Sequence, residues 1–191
     1  MEASWHEYKS PKIRKILRFF HISIKHPIPQ SILIELVSVG DKAPVFTLVN
    51  HEMNPVSLDD YSGQNVVLAF YPGAFTGGCK VEMCTIRDGI AKLEDLDAVV
   101  LGISVNDPFS NRAFYEDNVL NFQLLCDYNR DVVKAYDVYH ENFAGLKGYT
   151  AAKRSVFIVG DNGLIKYKWV TENPGVQPDF DEIQNELSKL P

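Results

Sequence analysis

The order of strand-like and helix-like segments predicts an α/β protein, a mixed central sheet flanked by helices in a single domain. Three observations carry this. Residues 66–71 and 98–105 are apolar runs of strand length, the pattern of strands buried on both faces. Each is followed by a segment that reads as a helix, over 76–93 and 109–118. The chain then closes with a hairpin and one more helix, and that alternation suits a sheet packed between helix layers.

Taken in order, residues 45–49 read as an opening strand, and Tyr61-Ser62-Gly63-Gln64 as the turn before the 66–71 strand. The 109–118 helix starts after Asp107-Pro108, since proline suits a first helical turn. Residues 122–125 form a short strand and 130–136 a short helix. Strands over 155–159 and 164–170 are joined by Gly160-Asp161-Asn162-Gly163, a strong hairpin signal. Asp179 or a near neighbour caps the closing helix over 179–190. No internal repeat or low-complexity tract interrupts the chain.

Composition narrows the function. The 191 residues suffice for one well-buried core, and 46% hydrophobic with 23% charged residues is ordinary for a soluble globular protein. A net charge of −6 argues against nucleic acid as the main partner, because phosphate binding needs a concentrated basic surface. No apolar run approaches the roughly 20 residues that span a bilayer. Three cysteines are too few for a disulfide scaffold, and the odd count leaves at least one unpaired. That usage suits a reducing compartment, with the cytoplasm as the expected location.

Residues 1–38 differ from the remainder, 39–191. Lys9, Lys12, Arg14, Lys15, Arg18 and Lys25 make this extension basic, and Ile13, Ile16, Leu17 and Phe20 fall at helical spacing. It lacks the apolar region and small-residue cleavage site of a targeting peptide. A basic amphipathic helix also suits a membrane surface or a partner. The preferred reading is an appendage, or the product of a start codon placed too early.

The informative stretch runs over residues 70–84, where a buried strand ends at Pro72, a loop follows and a helix begins near Thr76. Cys79 then sits in the first helical turn, at about the third position if Thr76 is the cap. Free N–H groups and the positive end of the dipole point there, and both stabilise a thiolate, the form that attacks. Thr76 reads as a helix cap, and also as a hydroxyl able to accept from Cys79 or donate to an oxygen of a bound substrate. Cys84 follows five residues later. On an ideal helix this separates the two Cα atoms by roughly 8–9 Å. A disulfide does not close beyond about 7 Å without backbone movement. Pairing of the two thiols therefore requires the first turn to unwind, which Gly77 and Gly78 make easy.

Pro72-x-x-x-Thr76-x-x-Cys79 resembles the active-site signature of the peroxiredoxins, and Glu82 and Cys84 resemble the Q-type, or bacterioferritin comigratory protein, subfamily. Residues 40–46 resemble the family's opening strand, and residues 154–159 its arginine-bearing strand. The resemblance covers about residues 38–190 and implies a thioredoxin-like fold and a peroxidase that reduces hydrogen peroxide and small alkyl hydroperoxides. It implies that Cys79 is the peroxidatic cysteine, oxidised to sulfenic acid, and that Thr76 and Arg154 hold the thiolate and the peroxide oxygens. It further implies that Pro72 shields the sulfur and that Cys84 resolves the sulfenic acid as a disulfide, reduced in turn by thioredoxin or a similar dithiol protein. Residues 139–153 and 172–178 look closer to E-type alkyl hydroperoxidases, some of which use one cysteine. The role of Cys84 stays open for that reason.

The plainer readings stand beside these. Cys126 ends a strand, where a small buried hydrophobe is expected, with a reserve resolving role. Glu82 reads equally as an orienting partner of Arg154 or a plain helix carboxylate. Arg87 and Asp88 read as a helix-surface ion pair. None of the five histidines has metal-ligand spacing, Cys-x4-Cys alone is a poor zinc site, and no phosphate loop or Cys-x-x-Cys appears. No metal or organic cofactor is expected, and the protein is either a monomer or a homodimer. Rival readings are a one-cysteine peroxidase resolved by an external thiol, and a redox sensor or holdase.

Overall fold

Strand β3 (Asn65–Phe70) is the axis of the molecule, and its residues explain the layering. Successive side chains of a strand point to opposite faces. Val66, Leu68 and Phe70 enter one apolar cluster with Phe46, Val133, Tyr136 and Phe157. Val67, Ala69 and Tyr71 enter the other, with Cys79, Met83, Phe114 and Ile183. The computed structural model describes residues 37–191. The basic 1–36 stretch, including the expected amphipathic helix, lies outside the described residues.

Nine strands and four helices follow in order among the described residues: β1 (Thr47–Asn50), β2 (Pro55–Ser57), β3, α1 (Gly77–Glu94), β4 (Ala98–Ser104), α2 (Pro108–Asp117), β5 (Gln123–Cys126), α3 (Asp131–Ala135), β6 (Tyr139–His140), β7 (Ala151–Ala152), β8 (Ser155–Val159), β9 (Ile165–Val170) and α4 (Phe180–Leu187). Seven strands form one sheet in the order β2-β1-β5-β4-β3-β8-β9, while β6 and β7 pair separately. β3 runs parallel to β4, and β4 to β5, whereas β8 pairs antiparallel with β3. The sheet is therefore mixed, as predicted. α1, α2 and α4 bury their apolar residues in the Cys79 cluster, and α3 buries Val132 and Val133 in the other.

Helix starts follow local chemistry. Asp107 accepts from the Ser110 amide at 2.9 Å with Pro108 next in the chain. Asp179 accepts from the amides of Asp181 and Glu182. The 160–163 turn closes the β8–β9 hairpin with Gly163 at φ +73°. Sequence reading missed β2, β6 and β7, which are two or three residues long and show no periodicity.

Candidate active site

The register of β3 against β8 builds the site. Phe70 pairs with Ser155, so the residues just outside this pair, Tyr71-Pro72 on one strand and Arg154 on the other, leave the same end of the sheet. Pro72 is buried there, and the loop after it turns into α1. Asn106, which sequence reading did not single out, pins that loop by accepting from the Ala74 amide at 2.9 Å. Phe75 adopts φ +61°, a left-handed conformation costly for an aromatic residue, immediately before the helix.

Thr76 is the N-cap residue by backbone conformation, but its side chain does not cap. The hydroxyl donates to the Gly73 carbonyl at 3.2 Å and so braces the loop behind it. This corrects the expected side-chain cap: the rotamer that reaches Gly73 turns the oxygen away from the free N–H groups of the first turn. Cys79 is the third residue of α1 and fully buried.

Arg154 is 1% exposed, and all three nitrogens of its guanidinium group donate hydrogen bonds. Nη2 donates to Cys79 Sγ at 3.6 Å, and Nη1 forms a buried ion pair with Glu82. Nε and Nη2 both donate to the Pro174 carbonyl, at 3.1 and 2.8 Å. Glu82 is thus the buried ion-pair partner of Arg154. Its spacing was the available signal, since residues three apart on a helix share a face and Cys79 lies three before it. Pro174 left no signal, because a backbone carbonyl carries no residue-type signature. A Cβ on Gly78 would meet Arg154 Nη2 at 2.9 Å, so only glycine lets the guanidinium lie across the first turn.

Burial pushes the Glu82 carboxyl up to about 7, with the Arg154 charge and hydrogen bond opposing. In the unfolded chain the same group titrates near the usual carboxylate range, about 4.3. Between those values the folded state holds a proton that the unfolded state has lost. Stability referred to Glu82→Gln therefore falls as pH rises through about 7 and is fully retained below the unfolded value. Thermal midpoints of both proteins at pH 5 and pH 8 check this: the wild type should lose ground at the higher pH.

The other cysteines lie apart from the guanidinium. Cys84 is partly exposed on α1, and its Sγ faces Asn118 Oδ1 at 3.9 Å. Cys126 ends β5, fully buried, and accepts from Asn111 Nδ2 at 3.2 Å. Burial pushes its thiol up to about 11, which suits the plain core reading. Arg87 and Asp88 pair on the helix surface at 2.8 Å, as expected. A cavity of about 440 Å³ is lined by Phe46, Leu48, Cys126 and Tyr136 among others, but by none of Pro72, Thr76, Cys79, Glu82, Cys84 and Arg154. The convergent chemistry is therefore at Cys79, where a buried sulfur meets a buried cation.

The model of the AhpC/TSA family matches residues 39–168. The chain belongs to this family, the peroxiredoxins. Peroxiredoxin Bcp of Escherichia coli (strain K12) is 36% identical over 131 residues, 69% of this chain and 84% of that protein. The crystal structure of PrxQ from Xylella fastidiosa, solved as a cysteine-to-serine mutant, superposes with a TM-score of 0.71 at 26% identity, covering 80% of this chain and 96% of that one. Peroxidoxin BcpB from Mycobacterium tuberculosis matches in fold with a TM-score of 0.71 at 24% identity, covering 80% and 97%. This peroxiredoxin is a thioredoxin-fold peroxidase, as its sequence motif implies. No helix among the described residues is long and apolar enough to cross a membrane.

Proposed function

We propose that this peroxiredoxin reduces hydrogen peroxide and small alkyl hydroperoxides with Cys79 as nucleophile. The Cys79 thiolate attacks the terminal oxygen of the hydroperoxide. An S–O bond forms, the O–O bond breaks, and the departing alkoxide or hydroxide takes a proton. The peroxide is reduced to alcohol or water, and Cys79 is oxidised to sulfenic acid. The observation carrying this reading is the Arg154 guanidinium 3.6 Å from a fully buried Cys79 sulfur. A fixed cation there favours the thiolate and stabilises charge developing on the peroxide oxygens. Pro72 shields the sulfur, and Thr76 holds the loop beneath it through Gly73.

Cys84 then attacks the sulfenic sulfur: the S–S bond forms, the S–O bond breaks, and hydroxide leaves with the thiol proton as water. Thioredoxin or a similar dithiol protein returns both thiols by exchange and is itself oxidised to a disulfide. Three free cysteines and this cycle suit the cytoplasm, where dithiol reductants are kept reduced. A one-cysteine cycle is the second reading, favoured by the Cys84 thiol facing Asn118.

Treating the reduced protein with one equivalent of hydrogen peroxide, blocking free thiols and mapping the product by mass spectrometry separates them. A Cys79–Cys84 disulfide is expected. A sulfenic acid on Cys79 with Cys84 free moves the assignment to the one-cysteine cycle, and an unreacted Cys79 overturns the catalytic reading.

A further inference from the structure

The segment 171–178 between β9 and α4 lies across the start of α1, and its own bonds give it a set shape. The Thr171 amide donates to the Arg154 carbonyl at 3.1 Å, Gly175 N donates to Asn173 Oδ1 at 2.9 Å, and Val176 N to Asn173 O at 3.0 Å. This strap reaches the site at two points. Pro174 offers its carbonyl to Arg154, and Gln177 Nε2 donates to the Gly78 carbonyl at 3.2 Å. A Cβ on Gly78 would meet Gln177 Nε2 at 3.4 Å and the Pro174 oxygen at 3.7 Å, so the strap is seated closely on that turn.

The first turn of α1 has little else to hold it. Gly77 and Gly78 contribute no side-chain packing and favour the unwound chain. Thr76 gives the turn no side-chain cap. Beyond the helix's own bonds, with Lys80 N to Thr76 O at 3.0 Å at its start, what remains is the burial of Cys79, its contact with Arg154 Nη2 and the tie from Gln177. Gln177 Oε1 is buried without a hydrogen-bond partner among the described residues, so the amide is held with only its donor side satisfied. Such an arrangement releases at less cost than a fully bonded one.

We infer that Gln177 is a positioning residue that latches the first turn of α1. It sets the balance between a wound turn, in which Cys79 lies against Arg154, and an unwound turn, in which Cys79 reaches Cys84. The inference rests on the two-cysteine reading for its consequence in the cycle, but not for the latch itself. A single hydrogen bond changes an opening equilibrium by about three- to tenfold. Gln177 touches neither sulfur nor guanidinium through a hydrogen bond, so peroxide attack is left nearly untouched.

The test compares the full-length wild type with Gln177→Met, which keeps the length of the side chain without its donor, and with Gln177→Ala. In the reduced proteins, amide hydrogen exchange over residues 77–82 should rise about three- to tenfold, while the core of β3 and β4 is unchanged. Stopped-flow oxidation of Cys79 by hydrogen peroxide should stay within about twofold, while disulfide formation with Cys84 accelerates by about the same factor as exchange. Unchanged exchange over 77–82 in both variants overturns the latch. So does faster exchange spread over the whole chain, which would mark Gln177 as merely structural. If the wild type forms no Cys79–Cys84 disulfide, the two-cysteine reading fails separately, and the exchange result alone decides the latch.

Discussion

Replacing Arg154 by methionine is expected to lower peroxidase turnover at least about a hundredfold and to destabilise the fold by about 3–5 kcal/mol. The side chain is 1% exposed and bonds Glu82, Cys79 and the Pro174 carbonyl at once. Methionine fills the space, but it leaves the Glu82 carboxylate buried with no cation and Pro174 O with no donor. Removing one partner of a buried ion pair exposes the whole desolvation cost of the other. Because burial already pushes Glu82 up to about 7, the variant should hold that carboxyl protonated at neutral pH, and its deficit should grow as pH rises. The loss in rate has another cause, the absence of positive charge where the sulfur and peroxide oxygens meet. Arg154→Lys separates the two effects: it restores a charge but not the planar fork that serves three partners. Denaturant unfolding and stopped-flow oxidation give both quantities, and wild-type rates in Arg154→Met would remove the guanidinium from the proposed mechanism.

Cys79→Ser should abolish turnover, by about four orders of magnitude or more, while shifting stability by less than about 1 kcal/mol. A serine hydroxyl stays protonated at neutral pH, so the attacking anion is missing although the geometry is kept. The replacement is close in volume, and its oxygen is placed to accept from Arg154 Nη2, which now lies 3.6 Å from sulfur. The fold should therefore survive a change that silences the reaction. Residual turnover near the wild-type level would transfer the nucleophile to another thiol. Cys126 is poorly suited, being fully buried with its thiol pushed up to about 11.

The outcome of sequence reading divides along a physical line. Elements whose signal is local were legible. The 66–71 and 98–105 runs became β3 and β4, Asp107-Pro108 opened α2, and Asp179 capped α4. Cys79 was placed at the third position of its helix because strand, loop and cap are read over a few neighbouring residues. What was left open or missed depends on residues far apart in the chain. Glu82 and Arg154 are 72 residues apart, and their pairing, one of two even readings of Glu82, is created by the β3–β8 register. Gln177 reaches a carbonyl 99 residues away, and its target, like Pro174 O, is backbone that any residue could supply. The Thr76 hydroxyl failed for a subtler reason. The backbone conformation of a cap is encoded locally, but the choice between the helix amides and Gly73 O is made by one side-chain rotation.

The order in which the site's parts occur along the chain has a consequence for biosynthesis. Cys79 leaves the ribosome long before Arg154, and the strap bearing Pro174 and Gln177 comes later still. Translation at about 5–20 residues per second leaves an interval of several seconds in which the cysteine is outside without its cation. Only when β8 docks antiparallel on β3 does the guanidinium arrive beside the sulfur. On the proposed mechanism, the full reactivity of Cys79 toward peroxide is therefore acquired only once the last fifth of the polypeptide, from Arg154 onward, has been made and seated.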